Sequence, residues 1–416
     1  MRYFDLNANL SKEDVALKTE THRFAKEVMR PVSIALDQMT PEAAIAPESP
    51  FWDFMKQAYS LGYHKITLPA EVGGAGLTPL QMQIVMEELA WGSFGLTLAL
   101  NTTLDAVWAL AGTEEHIKQF TIPFCECTDG SVVGCWAITE PDHGSDTLVT
   151  GYPSFSDTAI PAQCTARKDG SEYVISGQKS SWVSAGTIAK SIVLMCQIDA
   201  SKGHAGSGVF IFSLDRPGVS KGKPADKIGT RDLNQGEIFF SDVRVPADAL
   251  IVPPEAYAAA LEGWLSCTLS MVGTWATGLA RAAFDEALNY ARTRVQGGRP
   301  LVAHKNVQEK LFSMFRRVEA SRQMCRAAFV YNWSLPTQPE KRVIEYSMAA
   351  KTLATQTALD VASDAIGLHG GIGITKEYLV EKLFRDARTT LICDGSNDTI
   401  AVTGGYHVAH NYPRRA

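Results

Sequence analysis

The feature that most constrains this chain is a change of texture near residue 131 that reverses near residue 255. On either side, apolar residues recur at helical spacing. Between them come short runs rich in β-branched and aromatic residues: SEYVISG (171–177), SIVLMCQI (191–198), GVFIF (208–212) and GEIFFSDVRVP (236–246). Each is bounded by Gly, Asp, Ser or Pro, a pattern that predicts a compact all-β unit of roughly 120 residues. No strand–helix–strand alternation occurs, and GIGIT (371–375) lacks the strand–turn–helix setting of a dinucleotide fingerprint, so a Rossmann domain is not expected.

The flanks read as helix. Ser11 with Asp14 opens a capped helix, and LQMQIVMEELAW (80–91) places Leu80, Ile84 and Leu89 close to one face. LPAEVGGAGLTP (68–79) is a loop marked by Gly and Pro. Further on, GLARAAFDEALNYARTR (278–294) is Ala-rich and amphipathic. Val307, Leu311, Met314 and Val318 fall at spacings of 4, 3 and 4, and residues 346–367 are long enough for a third helix. Long helices with short connections favour an antiparallel bundle. The expected fold class is α+β and multidomain: an N-terminal helical domain (1–130), a central β-barrel or sandwich domain (131–250) and a C-terminal four-helix bundle (251–416). No repeat of 20–50 residues suggests a solenoid.

Composition narrows the function. With a net charge of −6 and no long Lys/Arg run, the chain is not expected to bind nucleic acid. No window approaches the ~18 uninterrupted apolar residues of a membrane span. The N-terminus carries acidic residues early and no apolar signal core, so no secretory leader is expected. Eight cysteines show no metal-ligand spacing beyond CEC at 125–127. No metal site is therefore expected, and reduced thiols in a cytoplasmic protein are.

One short stretch poses the chemical question. In LICDGSNDTI (391–400), a hydrophobic run ends and Asp394 stands before Gly395. An Asp in that setting commonly punctuates a turn by bonding the local backbone. The alternative is that Asp394 removes a proton from a substrate.

Seven segments, in this order along the chain, bear on that choice: LPAEVGGAGL (68–77), AITEPDHGSD (137–146), GQK…WVSAG (177–186), FFSDVRVP (239–246), RTRVQGGRPL (292–301), LHGGIGIT (368–375) and VEKLFRDAR (380–388). Together they resemble the acyl-CoA dehydrogenase superfamily across nearly the whole chain. The resemblance implies FAD held between the β domain and the C-terminal bundle of a homotetramer or homodimer. The matching flavin contacts are Trp136, Ile138, Thr139, Gly144 and Ser145, then Trp182, Val183 and Ser184. Small Gly and Ser residues let backbone and hydroxyl donors approach a pyrophosphate or ring edge. An indole offers a flat wall beside the flavin. Arg294 matches an arginine that reaches the diphosphate of a neighbouring subunit's FAD, a task suited to a bidentate guanidinium. Gly370 and Gly371 match backbone beside the adenosine half, and Ser396 and Asp398 are expected to face the flavin.

Members of that family usually carry Tyr-Glu-Gly-Thr where this chain has Cys393-Asp394-Gly395-Ser396. The resemblance implies that Asp394 abstracts the proton α to an acyl-CoA thioester carbonyl while a hydride leaves the β-carbon for flavin N5, giving a 2,3-enoyl-CoA. Asp is one methylene shorter than Glu and reaches ~1.5 Å less far, so the substrate must sit closer or bind differently. Ser145 and Gly395 are the expected substrate contacts, and a backbone N–H at the base helps polarise the carbonyl. Where some relatives carry their base on the first bundle helix, this chain has Thr268.

Several positions depart from the family pattern. Ser266 and Leu269 replace an Asp-x-x-Arg pair near CoA, and Gly297 replaces a Phe. One extra residue separates Lys179 from Trp182, and Asp398 replaces a Gln. These departures leave FAD binding expected while setting the acyl-CoA side apart from the family pattern, and the altered base is compatible with branched, cyclic or otherwise atypical, bulky acyl groups. The family resemblance implies electron-transferring flavoprotein as the acceptor and fatty acid or carboxylic acid catabolism as the setting. Nitroalkane oxidases of the same superfamily also use Asp here and lack the helix arginine, but the arginine beyond their Asp has no match among Thr399, Ile400, Ala401 and Val402. A non-catalytic, flavin-binding member is the third reading. The retained carboxylate and the acidic balance speak against it.

Overall fold

A computed structural model of the chain describes Leu6 and residues 10–411; the other residues at each end lie outside it. Among the described residues, eight α-helices precede the first strand: α1 (Lys12–Phe24), α2 (Arg30–Asp37), α3 (Pro50–Ser60), α4 (Pro79–Gly92), α5 (Phe94–Leu100), and the short α6 (Asp105–Trp108), α7 (Glu114–His116) and α8 (Ile122–Glu126). Ser11 caps α1 as its spacing predicts. Its hydroxyl accepts from Asp14 N–H, and the Asp14 carboxylate accepts from Ser11 N–H. Each bond satisfies an end donor that the helix cannot pair internally.

Helix α4 differs from its one-faced reading. It is buried continuously from Met82 to Gly92, because α1, α9 (Pro254–Thr293) and α10 (Lys305–Trp333) pack around it. Its Glu87 and Glu88 therefore enter the core, where arginines from the C-terminal region meet them. Arg281 Nη1 lies 2.9 Å from Glu87 Oε1 and 2.9 Å from Glu88 Oε1, and Arg322 Nε lies 2.9 Å from Glu87 Oε1. Charges this deep persist only when paired and hydrogen-bonded.

The central region forms one eight-stranded mixed sheet: β1 (Gly134–Ala137), β2 (Thr165–Asp169), β3 (Glu172–Lys179), β4 (Ser191–Gln197), β5 (Ser207–Ser213), β6 (Val219–Lys221), β7 (Ile238–Pro246) and β8 (Leu250–Val252). The order is β6-β7-β3-β2-β4-β5-β8, with β1 pairing β4 in parallel. The four apolar runs became β3, β4, β5 and β7. The other strands span three to five residues, too few for a period-2 pattern to declare itself. The register of β1, Trp136 against Val193 and Ala137 against Leu194, fixes where the following loop leaves the sheet.

The C-terminal region is helical apart from a small hairpin, β9 (Val295–Gln296) with β10 (Arg299–Pro300). The Ala-rich segment is the second half of the 40-residue α9. After α10 come α11 (Ile344–His369), α12 (Val380–Thr390) and α13 (Asn397–Asn411). Val307, Leu311, Met314 and Val318 all face the core. Helix α11 lies against α9 along a stripe of buried Ala350, Ala354, Ala358 and Ala362. The approach is close: a Cβ on Gly273 of α9 would sit 2.8 Å from Cys325 Sγ and 3.2 Å from the Ala350 backbone.

Candidate active site

The site is built around the turn joining α12 to α13. Asp394 has φ +49° and Gly395 φ +97°. The left-handed region is costly for most side chains but accessible to Asp, whose short side chain tolerates it. A buried lysine from α11 holds this turn. Lys351 Nζ donates to Leu391 O at 3.3 Å, Gly395 O at 2.6 Å and Asn397 Oδ1 at 2.8 Å. Asn397 N–H closes the loop onto Leu391 O at 2.9 Å, and its side-chain amide donates to Thr355 Oγ1 at 2.9 Å.

Asp394 is only partly exposed. Burial pushes its carboxyl up to about 6, although the Lys351 ammonium and the Cys393 thiol favour the charged form. A carboxylate that titrates near neutrality suits a general base, because it is mostly ionised yet still gains by taking a proton. Burial also pushes Lys351 down to about 8. Gly395 faces a tight wall, since an added Cβ would lie 3.0 Å from Ile400 Cδ1 and 3.3 Å from Leu148 Cδ1.

The loop after β1 comes to this turn directly. Ser145 Oγ accepts from Ser396 N–H at 2.8 Å. Upstream, the loop is anchored by buried Lys179 at the end of β3. Its Nζ donates to Ile138 O at 3.0 Å and to Glu140 Oε1 at 2.7 Å. Glu140 also accepts from the backbone of Gln163 and of Cys164. Ser180 N–H donates to Thr139 O at 3.0 Å, which joins the two glycine- and tryptophan-bearing segments.

In the second segment, Val183 is buried while Trp182 is 57% exposed. Gln235 Nε2 donates to Trp182 O and to Ser184 Oγ, both at 3.2 Å. Buried Trp136 Nε1 and Ser180 Oγ have no partner. No heavy atom stands within 4 Å of a Cβ built on Gly144. Unpartnered buried donors, an exposed flat indole and open backbone in these segments fit a bound flavin. Arg294, Gly370 and Gly371 are exposed and make no hydrogen bond to the Asp394 turn. Asp398 is exposed in the first turn of α13, and Ser396 Oγ pairs with Thr399 Oγ1 at 3.1 Å.

Thr268 is buried in α9 with an unpartnered hydroxyl. Nearby Ser266 Oγ bonds back to Glu262 O, and Leu269 is buried.

His143, Asp146 and His204 offer a clustered set of nitrogen and oxygen atoms. His143 Nδ1 lies 2.7 Å and His204 Nε2 3.2 Å from the same oxygen, Asp146 Oδ2. The first distance is shorter than the ~3.3 Å between ligands on tetrahedral zinc with ~2.05 Å bonds. The trio is a hydrogen-bonded clamp on the loop that carries Ser145.

Sequence reasoning missed Lys351, Asn397 and the Glu140–Lys179 pair. The signal for Lys351 was present: one cation in SMAAKTLAT, a segment whose other residues are small or apolar.

Comparison with known proteins follows the same three-part division. The N-terminal domain model of acyl-CoA dehydrogenase matches residues 11–127, the middle domain model 135–243 and the C-terminal domain model 267–403. The short-chain specific acyl-CoA dehydrogenase of Bos taurus mitochondria is 31% identical over 399 residues, covering 94% of this chain and 91% of the relative. Cyclohex-1-ene-1-carbonyl-CoA dehydrogenase of Geobacter metallireducens is 31% identical over 391 residues, covering 93% and 97%. The structure of butyryl-CoA dehydrogenase from Megasphaera elsdenii superposes with a TM-score of 0.82 at 25% identity, covering 97% and 100%.

Proposed function

The chain belongs to the acyl-CoA dehydrogenase family of FAD-dependent oxidoreductases, and from that premise we propose that it oxidises the Cα–Cβ bond of an acyl-CoA thioester with Asp394 as the base. The observation that carries this reading is the Asp394 turn: a carboxyl raised to about 6, on left-handed backbone, hydrogen-bonded through Ser396 to the Ser145 loop. Asp394 takes the α-proton. The backbone around Asp394 and Gly395 receives the thioester carbonyl, and an N–H there stabilises charge developing on its oxygen.

When bound, FAD supplies the acceptor for the hydride that leaves the β-carbon. Trp136, Ile138, Thr139, Gly144, Ser145, Trp182, Val183 and Ser184 hold it within the chain, with Ser396 and Asp398 on the C-terminal side. Exposed Arg294, Gly370 and Gly371 are proposed to serve across a subunit contact in a homotetramer or homodimer. The acyl group is branched, cyclic or otherwise atypical, in keeping with a relative named for a cyclohexene-carbonyl substrate and with a base one methylene shorter than Glu. Electron-transferring flavoprotein is the proposed acceptor and the cytoplasm the proposed location.

The test is anaerobic addition of a panel of acyl-CoA thioesters to the purified flavoprotein. Bleaching of the flavin band near ~450 nm is expected with at least one member. Bleaching by nitroalkanes alone, with peroxide formed in air, would replace this reading with an oxidase.

A further inference from the structure

Lys351 is fully buried, yet it carries one of the largest side chains in the core. Its ammonium has three donors, and it meets three acceptors: Leu391 O, Gly395 O and Asn397 Oδ1. The first two flank Asp394 on either side, three residues before and one after. The third belongs to the first residue of α13. The amine therefore grips the turn at both shoulders and at the start of the following helix, while Asp394 itself stays in the left-handed region between them. A lone lysine in an alanine-rich helix face is costly to bury unpaired. Here every proton has a use.

We propose that Lys351 is a positioning residue for the reaction: its three-way grip fixes the Asp394 turn in reactive geometry, and its charge keeps the base ionised in working conditions. This rests on the reading of Asp394 as base. The group facing the pair is Cys393, whose thiol burial pushes up and so keeps neutral; Lys227 of the central region acts on that thiol rather than on Asp394. Lys227 is itself occupied by Leu233 O and Gln235 Oε1, which leaves Lys351 as the cation next to the turn.

The experiment compares wild type, Lys351→Met and Lys351→Arg as FAD-loaded enzymes in anaerobic single-turnover reduction by an acyl-CoA that bleaches the wild type. Rates are followed from pH 5 to 9, with substrate affinity measured separately. Lys351→Met is expected to reduce flavin about 10–100-fold more slowly, the cost of a misplaced reacting group, without a matching loss of substrate binding. Its acid limb is expected to move up by about one unit or more, because the nearby positive charge is gone. In Lys351→Arg, which keeps the charge, the limb is expected to stay where wild type has it. A Met variant with wild-type rate and limb, or Met and Arg variants whose limbs move equally, would overturn the proposal.

Should Lys351→Met fail to fold, Asn397→Ala is the second variant. It removes one of the three acceptors and keeps the cation, so slower reduction on an unmoved limb is expected, and wild-type reduction would refute the grip. If no acyl-CoA bleaches wild type, the function proposed above falls instead.

Discussion

The Ser145 hydroxyl accepts a 2.8 Å hydrogen bond from the backbone N–H of Ser396, a residue 251 positions further along the chain. One oxygen thus joins the loop after β1 to the turn that carries Asp394. Both ends of the bond are independently fixed, the loop by Glu140 and Lys179 and the turn by Lys351. Small errors in either would otherwise be felt as lost alignment at the reacting bond.

Asp394→Asn is the most direct variant. Single-turnover flavin reduction is expected to fall by about 10²–10⁴, the usual contribution of a general base, with substrate still bound. In wild type, the same step is expected to slow as pH falls through about 6, where the carboxyl takes up its proton.

The same substitution is expected to raise stability at alkaline pH. The folded carboxyl titrates near 6 against an ordinary 3.8, so its favourable contribution is complete below pH 3.8 and is lost as pH rises through 6. Asn carries no such dependence. Denaturant unfolding at pH 8 should show Asp394→Asn more stable by about 1–3 kcal/mol, discounted for the partial exposure of the group. Near pH 4 the difference should shrink.

Gly395→Ala tests the wall behind the base. The new methyl would meet Ile400 Cδ1 at 3.0 Å while forcing φ +97° on a side chain. A loss of about 1–3 kcal/mol in unfolding free energy is expected, along with slower flavin reduction as the turn shifts.

Lys179→Met leaves Glu140 buried without its cation. Breaking such a pair costs about 3–5 kcal/mol, and the loop that presents Thr139, Gly144 and Ser145 loses its anchor. Dialysis followed by absorbance should show a lower FAD content than wild type. Equal retention would separate this pair from cofactor binding.

Arg281→Met should likewise destabilise by about 3–5 kcal/mol, measured by denaturant titration. Burial opposes the charge on Glu88, yet Arg281 and the His22 hydrogen bond hold its carboxyl down to about 2. That contribution is present above about pH 4.5 and is lost as pH falls towards 2. Acid unfolding of wild type is therefore expected to begin with this network loosening, and Arg281→Met to show a weaker acid dependence in that window.

Legibility followed physical scale. The long helices and the four longest strands were readable because each repeats its period several times. Strands β1, β6 and β8 were not, because three or four residues contain no repeat and their pairing depends on partners far away in the chain. Helix α4 was read as having one apolar face; its glutamates are buried as well, and only arginines about two hundred positions downstream make that burial tolerable. At the site, Asp394 was singled out by distant segments that resemble the family, not by its immediate neighbours, which favoured a turn. Lys351 was not: a lone cation among small and apolar residues signals burial, but not that it meets carbonyls forty positions later.

The Glu88–Arg281 pair closes a span of 193 residues, and the entire sheet lies inside that span. Drawing its ends together costs roughly 4–5 kcal/mol of chain entropy. The pairing must also wait until α9 has been synthesised. Newly made α4 would meanwhile carry two carboxylates and an apolar surface covered only in part, chiefly by α1 through His22 and its packing. The sheet, whose partners all lie between residues 134 and 252, has no such delay. The sheet is thus an insert, closed in its own pairings, within a discontinuous helical body, and the middle is expected to acquire protection from hydrogen exchange before either end.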